Sequence, residues 1–566
     1  MKLTGAQIIV ETLIEQGVTD VFGYPGGQVL NIYDELYKNS DRINHILTAH
    51  EQGAAHAADG YFRGTGKTGV CIATSGPGAT NLVTGIATAM LDSVAMVAIT
   101  GNVSCNLIGK DSFQEIDITG ITLPITKHNY FVNDVNDLAD SIREAFRIAR
   151  SGRPGPVLID VPKDVQCAVC EYEPQPKQTL YPLPKAKESE IEKAVQLINE
   201  CKRPYIYIGG GVIGTEIYDD VKKLADKIDA VIGCTLMGIS AIPTDCERFL
   251  GMQGMHGHYA SSQALNHADL IFGIGIRFSD RATGNKSKFA VTAKKIQLDI
   301  DFAEINKNIT VDLGILGDVA DAFRRIADKC EKKSRPEWAQ TIAGFKAKEK
   351  EIDCVRRQRE EKVGKDIIFP DRFFDIVNSV IDSDTVIATD VGQHQMWTAQ
   401  YCKFGKTRKF VSSGGLGTMG FGLGAAIGAA IGSKDKTVLI TGDGSFGMNL
   451  NELATAVSYN ANVVIVIMNN GVLGMVRQWQ TLFYNKHYSN TTLNRKTDFV
   501  KLAEAFGLKG VRTATPEEFE KEFKEAFNTN GPVLIDCIIP PDEFVLPMLP
   551  PGGSMDDMIT GEEMEA

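Results

Sequence analysis

TGDGSFGMNLNELATAVSYNANVVIVIMNNGVLGMVR, residues Thr441–Arg477, is the stretch from which the fold is read. It continues the apolar run Thr437–Thr441, a short buried strand. A tight glycine turn follows at Gly442, Asp443, Gly444 and Ser445, then a helix through Leu450, Leu453 and Val457, then a second strand, Val463–Met468. Asp443 and Asn470 therefore stand at the carboxyl ends of two strands joined by one βαβ crossover, where open α/β sheets bind ligands. A carboxylate and an amide among glycines suit a hard cation carrying a diphosphate: oxygen ligands for Mg²⁺, backbone N–H groups for phosphate.

Working outward, helix and strand alternate through residues 1–171, 188–328 and 366–546. This pattern predicts an α/β chain of three doubly wound parallel-sheet domains. A proline- and lysine-rich linker, Tyr172–Lys187, separates the first two. A charged helical connector, about 330–365, separates the last two; its acids and bases are interleaved, so it is not a nucleic-acid patch. The tail, 547–566, is rich in Pro and Gly and then acidic, and is expected to be mobile unless it covers the site.

Composition limits the partners. The net charge of −12 over 566 residues argues against a nucleic-acid backbone. No apolar run reaches the ~18 residues of a membrane span, and the amino terminus runs straight into an amphipathic helix with no visible signal peptide. The 11 cysteines show no metal spacing and read as reduced thiols. A cytoplasmic protein is expected.

Several motifs need weighing. His50–Tyr61, HEQGAAHAADGY, opens a small-residue helix with Glu51 in its first turn; alone, this is an ordinary acid favoured by the helix dipole. Gly60–Thr68 imitates a P-loop, but it has five residues between its glycines where four are needed and leads into a strand. Gly76–Gly78 reads as a turn and Ala79–Asp92 as one helix. Gly209, Gly210, Gly211 and Gly214 form GxGxxG between a strand and an expected helix, a weak nucleotide signal that a tight turn could equally produce. His256-Gly-His258 lacks a third ligand at suitable spacing. By itself Trp479 is an aromatic anchor and Met419 a core filler.

In combination the motifs are specific. Ser445–Met468 puts 24 residues between Gly444 and Asn469, and GDG-x24-NN resembles the fingerprint of the thiamin-diphosphate enzymes. Together with HEQGAAHAADGY, SGPGATN (Ser75–Asn81), FQE (Phe113–Glu115) and RPGPV…PKDV (Arg153–Val165), the chain resembles the acetohydroxyacid synthase catalytic subunits of that family, from Leu3 to about Ile559.

The resemblance implies a pyrimidine-binding first domain, a central Rossmann-like FAD-associated domain and a diphosphate-binding third domain. It makes Asp443, Asn470 and the carbonyl of Val472 the Mg²⁺ ligands. Glu51 is the proton relay to the aminopyrimidine of thiamin diphosphate, with Thr74, Pro77 and Asn81 beside it. Gly392, Gln393, His394, Gly417 and Met419 are implied on the diphosphate side, Met419 propping the bent cofactor. Gly442, Gly444, Ser445, Leu473, Gly474 and Met475 are implied there too. Phe113, Gln114 and Lys163 line the substrate channel, and Trp479, Met475 and Arg281 meet the substrate, Trp479 selecting the larger second 2-keto acid. A structural, non-redox FAD is implied at Gly209, Gly210, Gly211, Met255, His256, Gly257 and Gly275, with Arg277, Arg281, Asp299 and Asp318. Two departures stand out: Ser279 where RFDDR has Asp, and Gly424 where Pro is usual.

The implied activity is decarboxylation of pyruvate and ligation of the two-carbon fragment to a second pyruvate or to 2-oxobutanoate, the first common step of branched-chain amino-acid biosynthesis. A homodimer or homotetramer with sites shared between subunits is implied, with or without a small regulatory subunit. The rivals are a flavin-using pyruvate oxidase, a flavin-free acetolactate synthase and a non-catalytic subunit. Gln114 and Trp479 speak against the first, RFSDR and Trp479 against the second, and retention of Glu51, Asp443 and Asn470 against the third.

Overall fold

The computed structural model describes residues 1–561; the end of the expected tail, 562–566, lies outside them. β1 (Lys2–Thr4) pairs antiparallel with β8 (Val169–Glu171), tying the first residues to the end of the first block. Three six-stranded sheets follow one another along the chain, and every pairing within them is parallel.

The first sheet holds β2 (Asp20–Gly23), β3 (Asn44–Leu47), β4 (Gly69–Ala73), β5 (Met96–Asn102), β6 (His128–Phe131) and β7 (Pro156–Pro162). The second holds β9 (Pro204–Ile208), β10 (Val231–Cys234), β11 (Phe249–Met252), β12 (Leu270–Ile274), β13 (Lys294–Asp299) and β14 (Leu313–Leu316). The third holds β15 (Val386–Thr389), β16 (Phe410–Val411), β17 (Thr437–Gly442), β18 (Val463–Asn469), β19 (Lys509–Thr513) and β20 (Val533–Ile538). Strands covered by helices on both faces read as unbroken apolar runs, and Val463–Met468 is buried at every residue.

Strand order separates the blocks into two kinds. The first sheet runs β3-β2-β4-β5-β7-β6 and the third β16-β15-β17-β18-β20-β19, the same order counted from each block's first strand. The central sheet runs β11-β10-β9-β12-β13-β14, the dinucleotide-binding order in which the first strand sits between the second and fourth. In the outer two sheets the direction of winding reverses between the first and third strands, which places a crevice between β15 and β17.

The outer blocks meet through two helices, Glu51–Thr65 and Gly422–Ser433. Their small residues are there for backbone approach. A Cβ on Gly60 would lie 2.0 Å from the carbonyl oxygen of Ala425, and one on Gly428 1.8 Å from that of Ala57. Gly424, where the related motif has Pro, also faces this seam, 2.9 Å from the Gly53 carbonyl by the same construction.

Four local expectations need correction. The turn at Asp443 is one helical turn, Asp443–Phe446, and the helix expected after it begins as a 3₁₀ turn, Leu450–Glu452. The helix expected at 79–92 is two pieces, Pro77–Asn81 and Val83–Leu91, breaking at Leu82. GxGxxG does not open a helix: Gly210–Val212 is a 3₁₀ turn, and the next helix is Tyr218–Lys227. Its glycines admit close loop packing, since a Cβ on Gly209 or Gly211 would collide with the backbone of Gly275. The segment after 546 is packed against the chain, Met548 bridging Ile559 and the carbonyl of Met555 accepting from Gln263 Nε2 at 2.8 Å. The charged connector is the helix Pro336–Val363.

Candidate active site

Three adjacent strands of the third sheet, β15, β17 and β18, deliver residues to one crevice. Beyond β15, the buried Asp390 accepts N–H bonds from Val391 at 2.8 Å, Gly420 at 2.9 Å and Gly422 at 3.2 Å. Burial pushes its pKa up to about 6, against the pull of those amides. Asp390 thus pins the glycine loop that carries Gly417 and Met419 to the end of β15. Sequence reasoning passed over it; the signal was a carboxylate one residue past an apolar strand. Gly417 has φ +69°, with only Val391 within 4.0 Å of an added Cβ, so the loop leaves open room there.

Beyond β17, burial pushes Asp443 up to about 6, while the backbone amides of its own residue, Gly444 and Gly471 act the other way. No cation pairs with it among the described residues. Beyond β18, Asn470 accepts from Val472 N–H at 3.1 Å. The carbonyl of Val472 receives no hydrogen bond among the described residues. His394, its pKa driven down to about 3 by burial, lies between Gly392 and Gly442 and leaves Nε2 buried and without a partner among the described residues. One unpaired carboxylate, one amide oxygen and one open carbonyl are a hard oxygen donor set for a divalent cation, and the orphan imidazole beside glycine backbone fits an anionic group. No group of three His, Cys, Asp or Glu that could hold a metal occurs among the described residues; a site with a single carboxylate agrees with that.

Three of the expected contacts are otherwise engaged. The Gln393 carboxamide is consumed by protein partners, donating to Glu543 O at 2.7 Å and Gln478 Oε1 at 3.2 Å and accepting from Asn470 at 3.3 Å. Gly474 makes room for it, since a Cβ there would lie 1.9 Å from Gln393 Oε1. Ser445 Oγ turns back to the backbone of Gly442, 3.3 Å away. Leu473 N–H donates to Thr491 O at 2.8 Å.

The first sheet presents a second cluster. Glu51 is half-buried, and Asn81 Nδ2 donates to its Oε2 at 2.9 Å, leaving Oε1 toward Gly78, where an added Cβ would lie 3.2 Å away. Thr74 packs under the same turn, 2.8 Å from that Cβ, and Pro77 is the first residue of the helix. Gln114, with φ +62°, abuts Gly76. Lys163 Nζ donates to Gly27 O at 3.2 Å. Phe113 is 85% exposed. Asp160, unremarked in the sequence, is buried and pushed up to about 7, with Thr100 and Asn102 donating to it and locking the ends of β5 and β7 together.

Along the central sheet, Met255 N–H donates to Arg281 O at 2.8 Å and Arg281 Nη1 lies 3.5 Å from Met255 Sδ. His256, driven down to about 4 by burial, leaves Nδ1 buried without a partner among the described residues. A Cβ on Gly257 would meet the backbone of Gln253, and Gly275 has φ +57°. Burial raises Asp299 to about 6. Two of the expected residues are engaged structurally: Arg277 Nη1 donates to Leu91 O at 2.6 Å, and Asp318 caps the helix Val319–Lys329. Trp479 stacks edge-on against Phe483, ring centroids 5.3 Å apart, on the helix Gly474–Phe483 that also carries Met475.

No hydrogen bond or ion pair joins the Glu51 cluster to Asp443 within the chain, among the described residues. The third block does reach the residues just before Glu51 through Glu452, whose carboxylate takes the backbone N–H groups of Ala49 and His50.

Family models agree with this division. A thiamine pyrophosphate enzyme N-terminal TPP binding domain matches residues 3–121, the central domain 191–326 and the C-terminal TPP binding domain 390–537. The acetolactate synthase large subunit of Corynebacterium glutamicum is 45% identical, covering 98% of this chain and 90% of that protein. A probable acetolactate synthase large subunit of Methanocaldococcus jannaschii is 45% identical, covering 98% and 95%. The acetolactate synthase large subunit of Haemophilus influenzae is 42% identical, covering 100% and 99%. With three family models along its length and relatives of this kind spanning nearly all of it, the chain belongs to the thiamine pyrophosphate enzymes, in the branch that holds the acetolactate synthase large subunits.

Proposed function

We propose that the chain is an acetolactate synthase that decarboxylates pyruvate and joins the two-carbon fragment to a second 2-keto acid, pyruvate or 2-oxobutanoate. The observation that carries the cofactor reading is the meeting of Asp443, Asn470, the open Val472 carbonyl and the orphan His394 Nε2 at neighbouring strand ends. When bound, thiamin diphosphate supplies a nucleophilic carbon and an electron sink for the decarboxylation. Asp443, Asn470 and Val472 would hold Mg²⁺, and His394 with Gly442 would face the diphosphate.

The chain's own residues do the rest. Asn81 holds one oxygen of Glu51, so the other is the atom free to share a proton with a ring nitrogen. Gln114 and the exposed Phe113 stand beside the same turn and bound the space for the keto acid. Met475 and Trp479 share one helix and would meet the acceptor.

FAD is part of the proposal, supported by the strand order of the central sheet, the orphan His256 Nδ1 and Arg281 beside Met255. A homodimer or homotetramer is proposed because Phe113, Leu123 and Met448 are 85%, 70% and 61% exposed; burying such apolar surface favours association. The relatives are named large subunits, which supports a small partner subunit here. No helix among the described residues is long and apolar enough to cross a membrane. A cytoplasmic setting is proposed on the cysteines, all 11 of which are free thiols.

The test is product analysis with pyruvate, thiamin diphosphate, Mg²⁺ and FAD. Acetolactate is expected, becoming mainly acetohydroxybutyrate when 2-oxobutanoate is added. Glu51→Gln should lower the rate at least ~100-fold, the range for loss of a proton-transfer group. Acetaldehyde or acetate as the main product would sink the proposed activity.

A further inference from the structure

We propose that Gln478 and Gln393 form an amide relay that sets which face of Asn470 the metal site receives, its polarity fixed by the backbone of Glu543 and Val545. The inference rests on the reading of Asn470 as a metal ligand and goes one layer beyond it.

A carboxamide can turn end for end, exchanging oxygen for NH₂, and only its partners decide the direction. Backbone groups cannot turn. Gln478, fully buried, accepts Val545 N–H at 2.8 Å and donates to Val545 O at 3.1 Å, so its orientation is fixed at both ends. Gln478 Oε1 then takes Gln393 Nε2 at 3.2 Å, and the same Nε2 donates to Glu543 O at 2.7 Å. Both acceptors demand the nitrogen of Gln393, which turns Oε1 toward Asn470. Asn470 must answer with Nδ2, at 3.3 Å.

Asn470 Oδ1 is what remains. It accepts from Val472 N–H at 3.1 Å and keeps a lone pair for a cation. Gly474 supports the same reading. Its φ is not left-handed, yet a Cβ would lie 1.9 Å from Gln393 Oε1 and 2.9 Å from Asn470 Nδ2, so the glycine is there to admit the amide pair. Residues 543–545, remote in sequence from the metal site, thereby act on the Nδ2 end of Asn470 in the same sense as Val472 N–H acts on its oxygen. Gln393 and Gln478 act as positioning residues.

The test reads thiamin diphosphate binding to the intact protein by calorimetry as Mg²⁺ is varied, without turnover. Gln393→Met keeps length and removes both hydrogen-bonding ends. Without the relay Asn470 Nδ2 loses its acceptor and Val472 N–H alone favours the oxygen, so the Mg²⁺ concentration for half-maximal binding should rise about tenfold, the low end for loss of an outer-shell partner. Gln478→Met should shift it in the same direction by less, because Glu543 O still orients Gln393. Asn470→Asp in the Gln393→Met background should recover most of the loss, since a carboxylate has no wrong face. A purely structural role would lower the melting temperature of the cofactor-free protein and would not be rescued that way. Unchanged Mg²⁺ dependence in Gln393→Met, or no rescue by Asn470→Asp, overturns the relay while the metal site stands. Wild-type binding that ignores Mg²⁺ overturns the metal-site reading and the relay with it.

Discussion

Glu452 Oε1 accepts the backbone N–H of His50 at 3.0 Å, so a carboxylate of the third block holds the residue immediately before Glu51. Its other oxygen takes Ala49 N–H at 3.1 Å and Thr455 Oγ1 at 2.6 Å, and the side chain is 1% exposed. Glu452→Ala should cost ~1–3 kcal/mol by leaving buried N–H groups unpaired. Glu452→Gln, which keeps one acceptor oxygen, should cost less. Urea unfolding checks the order, and a larger loss in Glu452→Gln would contradict it.

The seam between helices Glu51–Thr65 and Gly422–Ser433 gives a second prediction. Gly428→Ala puts a methyl 1.8 Å from a carbonyl oxygen on the helix that carries Glu51. Overpacking of this kind costs ~1–3 kcal/mol or more, and activity should fall with stability because Glu51 moves. Gly344→Ala in the connector helix meets nothing within 4 Å and should stabilise by ~0.5–1 kcal/mol. Thermal unfolding of the two variants should move in opposite directions.

Stability should also depend on pH through Glu360. Burial, and then the neighbouring Asp371 carboxylate, push its pKa from 4.5 to about 8. The folded state therefore holds a proton that the unfolded chain has already released at neutral pH. The stability this contributes is complete below 4.5 and lost as pH rises through about 8. Glu360→Gln is always neutral, so its melting temperature should overtake that of the wild type between about pH 6 and pH 9. Parallel curves for the two proteins would show that Glu360 ionises normally.

Much of this was legible in the sequence because it is local. Asp443 and Asn470 sit at strand ends that hydrophobic runs mark directly, and Glu51 opens a helix whose small residues announce close packing. What stayed hidden depends on partners far along the chain. Glu452 lies some four hundred residues from His50, and nothing around it distinguishes it from any helix-start acid. Gln478 carried no signal, and Gln393 read as a cofactor contact, because sequence does not show where an amide's two ends go. Gly474 read as a glycine for phosphate approach and proves to be one for side-chain room. The shared strand order of the outer sheets was invisible too, since alternation fixes that strands are parallel and not which ones are neighbours. At Gly209–Gly214 the motif matched and the context failed, the helix starting only at Tyr218.

In the proposed dimer Glu51 would meet Asp443 of the partner subunit, as the resemblance implies; no hydrogen bond or ion pair joins these two residues within one chain among the described residues. Glu51→Gln and Asp443→Asn proteins, each inactive alone, should be unfolded together and refolded as a mixture. If each site takes Glu51 from one subunit and Asp443 from its partner, half of the dimers are mixed and each holds one intact site, so about a quarter of wild-type acetolactate formation should return under random pairing. A mixture as inactive as its two components would contradict the account and place both residues in a site made by a single chain.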